Sequence, residues 1–293
     1  MKILIGGSPC THWSITRPKD RETISSGIGW ELFNNYLIVN DKFKPDYYLY
    51  ENVVSMNKNI KQEISNKFNT EPLQINGALV SAAERDRYYW TNIKGVEQPQ
   101  ERGLVLRDII EDNVDEKYYY NHELINIDMS KQVCATMVFN NNEMHKRIFN
   151  RNFKVHTLTT CAGGGLQKKL YDNGRARKLT PLEYERCMTL PDNYTSCVSN
   201  TNRYNGLGNG WTADVIKHIL MRIPMRLNEP VMVLSMYDGI ATGYYCMDSL
   251  GWNVTKYKAY EIDKYAMQVA SNNYPNIIQC GDAFQVRDDD WEY

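Results

Sequence analysis

The sequence predicts an α/β protein, an open and mostly parallel sheet with helices on its faces. Three observations carry that expectation. The chain opens on a short apolar run closed by glycines, Lys2-Ile3-Leu4-Ile5-Gly6-Gly7, which is the pattern of a buried strand. Strand-like and helix-like segments then alternate as far as about Val80, the rhythm of βα units. The rhythm resumes near the far end, at Val231-Met232-Val233-Leu234-Ser235. From about Lys94 to Arg151 it is lost, and that stretch reads as a small second lobe.

At 293 residues the chain has room for one large α/β domain and a small one. Its 42% hydrophobic and 24% charged residues are ordinary for a globular protein. No run is long enough for a membrane span, and Met1 leads into a strand rather than a secretory signal. Seven cysteines without a CxxC pair point to a reducing cytoplasm. Five scattered histidines argue against a zinc site. The net charge of −1 carries no global signal for nucleic acid. Locally, Lys146, Arg147, Arg151, Lys154, Lys168, Lys169, Arg175, Arg177 and Lys178 face only Asp172. That is either a solvated face or the electrostatic footprint of a DNA-facing lobe.

Taken in order, Ile5-Gly6-Gly7-Ser8-Pro9-Cys10 turns sharply out of the first strand and leaves a thiol beyond its carboxyl end. Ligands of open α/β sheets bind there, so Cys10 is placed like a nucleophile, with a buried inert cysteine as the plain alternative. Thr11-His12-Trp13-Ser14 and a polar loop through Arg17 to Ile28 have the length of a mobile lid. A helix over 30–39 and a strand over 47–50 lead to Glu51-Asn52-Val53, whose carboxylate can face the same crevice as Cys10. A helix over 57–69 and a strand over 73–80 lead to Arg85-Asp86-Arg87, where alternation puts both guanidiniums on one side. The triple glycine Gly163-Gly164-Gly165 permits close approach of a ligand to backbone. Thr180 with Pro181 and Glu183 reads as a capping box. Asn205 to Gly210 reads as a turn that opens a helix over 212–222, and 224–230 as a linker. Asp238-Gly239-Ile240-Ala241-Thr242-Gly243 then joins a strand to a helix, and Glu261 ends the next strand about 20 residues on, the nucleotide-binding layout. The turn is not GxGxxG, so an adenosyl ligand without a pyrophosphate fits better. A strand over 276–279 ends near Asp282, whose carboxylate can accept from an adenine amino group.

Together these motifs resemble the DNA cytosine-5 methyltransferases over most of the chain. Gly7-Ser8-Pro9-Cys10 resembles the family's Pro-Cys loop, Glu51-Asn52-Val53 its Glu-Asn-Val motif, and Arg85-Asp86-Arg87 its Arg-x-Arg motif. Arg177 to Asp192 resembles the motif supporting the recognition region, and Gly208-Asn209 the Gly-Asn motif near the cofactor. The wording Tyr-Asp-Gly-Ile-Ala-Thr-Gly is most similar to the animal de novo enzymes. The resemblance implies a Rossmann-like S-adenosylmethionine-dependent methyltransferase fold with a small target-recognition lobe. In most of the family the cofactor motifs come first; here they come last, so the chain is expected to be circularly permuted. The implied division is a catalytic half over 1–95, a recognition lobe over 96–176, a return over 177–223, a linker over 224–230 and a cofactor half over 231–293.

The resemblance further implies S-adenosyl-L-methionine held by Tyr237, Asp238, Gly239, Ile240, Ala241, Thr242, Gly243, Glu261, Ile262, Asp282, Ala283 and Asn209. It implies double-stranded DNA contacted by Ser14, Arg17, Lys168, Lys169, Gly164 and Gly165. The expected chemistry is attack of Cys10 on C6 of a flipped-out cytosine, which makes C5 nucleophilic. Glu51 would donate a proton to N3, Arg87 would hold O2, Arg85 would position Glu51 or a phosphate, and Asn52 would order the loop. No metal and no membrane are expected, and a homo-oligomer or partner chain stays open. A tRNA cytosine methyltransferase and a cofactor-binding scaffold without turnover are the alternatives. The compact chain is expected to act in the cytoplasm of a bacterium or a phage-infected cell.

Overall fold

The computed structural model describes residues 1–15, 21–161, 165–289 and 291. In chain order, β1 (Lys2–Gly6) is followed by a 3-10 turn at Cys10–His12, α1 (Ile28–Phe43), β2 (Tyr47–Val53), α2 (Lys58–Phe68), β3 (Leu73–Asn76) and β4 (Asp86–Thr91). Short strands come next: β5 (Tyr119–Tyr120), β6 (Leu124–Ile125) and β7 (Val133–Met137). A helical turn α3 (Glu143–Lys146), then β8 (Arg147–Phe149), β9 (Lys169–Asp172) and β10 (Arg175–Lys178), lead to α4 (Pro181–Cys187), α5 (Asn200–Asn209) and α6 (Ala213–Leu220). The chain closes with β11 (Pro230–Met236), α7 (Thr242–Ser249), β12 (Asn253–Tyr260), α8 (Lys264–Asn273) and β13 (Ile278–Gly281).

The chain forms two compact units. The first comprises residues 1–75, 86–98 and 216–293 and contains a seven-stranded sheet in the order β13-β12-β11-β1-β2-β4-β3. Strands β13, β12, β11, β1 and β2 pair in parallel, and β4 runs antiparallel to β2. A parallel sheet must be covered on both faces, and the sequence supplies the cover. On α1, Phe33, Tyr36, Val39 and Phe43 recur at helical spacing and are buried. They pack with Leu4, Tyr50, Trp90, Leu234, Met236 and Tyr260 in one cluster. Each such fully buried side chain contributes about 1.5–3 kcal/mol. On α2, Asn57 caps the first turn through its side chain, and Asn69 ends the helix in the left-handed conformation.

The second unit comprises residues 76–85 and 99–215 and holds a six-stranded sheet in the order β5-β10-β9-β8-β7-β6. Its small core joins Cys134, Ala135, Met137, Ile148 and Ala176. Arg177, fully buried, donates to Asp172 and to both oxygens of Glu183, and so fastens β10 to α4. The capping box forms as expected: Glu183 N–H donates to Thr180 Oγ1 at 3.1 Å and Thr180 N–H to Glu183 Oε2 at 2.8 Å, with Pro181 in the first turn.

The structure corrects three of the local expectations. The strand expected over 73–80 ends at Asn76, because the Asn76 side chain accepts from the N–H groups of Ala78 and Arg85 and turns the chain into a 3-10 turn at Gly77–Leu79. The expected turn over Asn205 to Gly210 lies inside α5, which Ser199 caps and which buries Tyr204, Leu207 and Gly208. A Cβ at Gly208 would stand 2.5 Å from the backbone of Thr159 and Thr160, so that glycine serves close packing rather than a turn. The last strand spans Ile278–Gly281, two residues later than expected. Among the described residues no helix is long and apolar enough to cross a membrane, and no group of three or more His, Cys, Asp or Glu could hold a metal ion.

Candidate active site

Strand order decides where the site lies. From β1 the sheet grows one way through β2, and from β11 the other way through β12 and β13. Such a reversal opens a crevice beyond the strand ends. Gly6, the last residue of β1, pairs in register with Met236, the last of β11. The loop carrying Cys10 and the turn beginning at Tyr237 therefore leave the sheet side by side, although more than two hundred residues separate them in the chain. Gly6 is required there, since a Cβ would meet the Met236 carbonyl oxygen at 2.5 Å.

The third neighbour is β2, which brings Glu51. A Cβ on Gly7 would lie 2.9 Å from Glu51 Oε2, so this carboxylate stands against the Cys10 loop. Antiparallel pairing sets Val53 opposite Arg87 and Tyr89 opposite Glu51. Arg87 is thus the diagonal neighbour of Glu51 on one face of the sheet, and its Nε lies 2.8 Å from Glu51 Oε1, both side chains about nine-tenths buried. Asn52 points to the other face and is buried. Its Nδ2 donates to the Ser8 carbonyl at 3.1 Å, and the Ser8 hydroxyl lies 2.6 Å from the Tyr50 hydroxyl. The loop before Cys10 is therefore held by Tyr50 and Asn52, two residues on one face of β2.

At the other side of the crevice the backbone is left-handed at Tyr237, Gly239 and Ala241, with φ of 61°, 61° and 60°. For Tyr237 and Ala241 this is strained. Gly243 lets α7 press on β1, because a Cβ there would meet Ile5 Cδ1 at 2.2 Å. Glu261 Oε2 accepts from Gly239 N–H at 2.8 Å, and Oε1 accepts from the N–H groups of Ile262 and Asp263. Ile262 presents an apolar side chain that is 73% exposed. Asp282 follows β13 and caps the next turn through the Phe284 N–H, with Ala283 buried beside it. The buried Asp238 carboxyl accepts from Ser235 and Tyr257 through Oδ1. Its Oδ2 and the Thr242 hydroxyl have no hydrogen-bond partner among the described residues. Burial pushes the Asp238 carboxyl up to about 6, against the hydrogen bonds that lower it.

The remaining expected residues are distributed otherwise. Arg85 precedes β4, so strand alternation does not reach it. It belongs to the second unit, is 5% exposed, and donates to the Leu158 and Gly208 carbonyls. Asn209, the exposed last residue of α5, also belongs to the second unit. Ser14 is buried. Lys169 is not presented to solvent: it is 1% exposed and donates to the carbonyls of His145, Gly165 and Gln167. Burial lowers it to about 8. Lys168 is half-buried and lowered by the same cause. Gly165 takes a left-handed φ of 74°. Arg17 and Gly164 lie outside the described residues. Sequence reasoning passed over Arg21, Glu22, Ser8 and Tyr50, which hold the Cys10 loop. Arg21 and Glu22 sit in the polar loop that precedes α1, and that polarity was the one signal the sequence left.

The family model for C-5 cytosine-specific DNA methylase matches residues 1–224. A type II methyltransferase of Haemophilus parahaemolyticus, M.HhaI, is 24% identical over 253 residues, which is 77% of this chain and 76% of that protein. Among solved structures, Spodoptera frugiperda DNMT2 superposes with a TM-score of 0.48 at 20% identity, over 75% of this chain and 78% of the other. The S. pombe Dnmt2 methyltransferase does so with a TM-score of 0.46 at 18% identity, over 75% and 77%.

Proposed function

We propose, because the chain belongs to the C-5 cytosine-specific DNA methylase family, that it methylates C5 of cytosine in double-stranded DNA through a covalent Cys10 adduct with a flipped-out base. Family membership makes it a cytosine-5 methyltransferase with a Rossmann-like fold that uses S-adenosylmethionine as methyl donor. The choice of DNA, the adduct and the residue roles are our reading. The observation that supports a Cys10 nucleophile beside the cofactor is the register of β1 against β11, in which Gly6 and Met236, the last residues before the Cys10 loop and the 237–243 turn, are paired; the choice of DNA rests on the family match.

The residues at that turn fit an adenosyl ligand. Glu261 and Asp282 follow adjacent parallel strands, Ile262 offers an apolar surface for a ring, and Asp238 and Thr242 carry buried polar atoms that lack partners among the described residues. When bound, S-adenosylmethionine supplies an electrophilic methyl group at its sulfonium. This chain's own residues do the rest. The Cys10 thiolate forms a bond to C6, and the pair of electrons released from the C5–C6 double bond makes C5 nucleophilic. Glu51 delivers a proton to N3 as charge develops on the ring, and Arg87 keeps that carboxyl aimed at the crevice. Asn52 and Tyr50 hold the Ser8 segment, so the thiol needs no reorganisation at the moment of attack. After methylation the C5 proton passes to solvent water, the electrons of the C–S bond leave with Cys10 as thiolate, and the N3 proton returns to Glu51.

We infer also that the two halves are circularly permuted. The cofactor strands β11, β12 and β13 come last in the chain but continue the sheet from β1. The family match ends at residue 224, before β11 begins at Pro230.

Tritiated methyl transfer from S-adenosylmethionine to mixed-sequence duplex DNA, and separately to tRNA, tests the substrate, with Cys10→Ser alongside. Transfer to DNA that the variant lacks is the expected result. Transfer to tRNA alone overturns the DNA reading, and transfer to neither overturns the enzymatic one.

A further inference from the structure

We propose that Arg21 and Glu22 are positioning residues that clasp the segment after Cys10 and set where the thiol stands. The proposal rests on the reading of Cys10 as nucleophile. Cys10 opens a 3-10 turn in which its carbonyl accepts from Trp13 N–H at 3.0 Å and Ser14 N–H at 2.8 Å. The turn is anchored by the Trp13 ring, which is fully buried in the cluster beneath β1 and α1. A buried indole N–H requires an acceptor, and Glu22 Oε2 accepts it at 3.0 Å.

Glu22 makes three further contacts. Its Oε1 accepts from Gly29 N–H at 3.0 Å and lies 3.7 Å from His12 Nδ1, and its own N–H donates to the His12 carbonyl at 2.8 Å. The carboxylate thus serves the first turn of α1, whose N-cap residue Gly27 has no side chain to offer. A Cβ on Gly27 or Gly29 would stand 2.6 Å from a Glu22 oxygen, so both glycines make room for this one side chain. Arg21 reaches the opposite way. Its Nε donates to the Trp13 carbonyl at 3.3 Å and its Nη2 to the Ser55 carbonyl at 2.5 Å, just past the strand that carries Glu51. Two adjacent residues therefore tie the peptide of His12 and Trp13 to α1 and to the end of β2. Asn52 and Tyr50 hold the chain before Cys10, and Arg21 and Glu22 hold it after.

The test compares Glu22→Ala, Glu22→Gln and Trp13→Phe, the last of which keeps a buried aromatic ring, though a smaller one, and removes the indole N–H. Iodoacetamide labelling of Cys10 is followed by mass spectrometry against Cys197 in the same sample, together with methyl-transfer kinetics and the unfolding midpoint. We expect the Cys10 rate to change about tenfold while Cys197 does not. We expect kcat to fall by about 100-fold, the scale of an ångström's misplacement, with KM for S-adenosylmethionine unchanged. Unchanged Cys10 labelling and kcat in Glu22→Gln and Trp13→Phe overturn the clasp. A parallel change at Cys10 and Cys197 with a collapsed midpoint overturns it too, since that is general loosening. If the wild-type protein methylates no nucleic acid, the functional reading fails while the labelling contrast still decides the clasp.

Discussion

Glu51 and Arg87 meet because an antiparallel register makes them diagonal neighbours, and neither residue's own sequence surroundings say so. Glu51→Gln keeps the shape of this pair and removes the transferable proton. It should lower single-turnover methyl transfer by about 10²–10⁴-fold with cofactor binding unchanged, as read by rapid quench and calorimetry. Asp238 makes a prediction about pH. Its folded pKa, pushed to about 6 by burial, lies above the ordinary value of 3.8. Such a group contributes stability that is fully present below pH 3.8 and is lost as pH rises through about 6. Asp238→Asn keeps an acceptor for Ser235 and Tyr257 and does not titrate. The variant should therefore gain on the wild type in unfolding midpoint between pH 4 and pH 6 and hold a constant lead above that. A gap that ignores pH would show that this carboxyl does not titrate as its burial requires.

Elements differ in how far their own residues determine them. The start of α4 is local: Thr180, Pro181 and Glu183 form the box that their spacing announces. Thr180→Ala should cost about 0.5–2 kcal/mol in urea unfolding, at the upper end because the hydroxyl also donates to Glu111. The join of β10 to α4 is tertiary. Arg177→Met leaves Glu183 fully buried without its cation, and should cost about 3–5 kcal/mol, several times the loss of the cap. A smaller loss for Arg177→Met than for Thr180→Ala would reverse this ranking. Helix α5 shows the opposite failure of local reading. Its glycines and asparagines favour a turn by propensity, yet burial of Tyr204 and Leu207 and the contact of Gly208 with Thr159 override it.

At the scale of the whole molecule, both ends of the first unit converge on the end of α1. Lys2 Nζ donates to the Phe43 carbonyl, and Lys42 Nζ donates to the Asp289 carbonyl. A rearranged chain running Leu227–Trp291, then a ten-residue Gly/Ser linker spanning about 16–19 Å, then Met1–Arg226, should fold and bind S-adenosylmethionine as the natural order does. Failure of that chain to fold, with the natural order folding under the same conditions, would count against the permutation. The α/β class, Cys10 in the loop after β1, Glu51 near the end of β2, the capping box and the acid spaced after the 238–243 turn were all legible in the sequence. Each depends on hydropathy period, turn residues or spacing within one segment, and such signals are local. Which strands are neighbours was decided only in the tertiary structure, and with it the meeting of β1 with β11, the assignment of Arg87 to Glu51, the burial of Lys169 and the clasp of Glu22 on Trp13. Those contacts join residues far apart in the chain, and their free energy comes from burial and pairing that exist only once the sheet has closed around them.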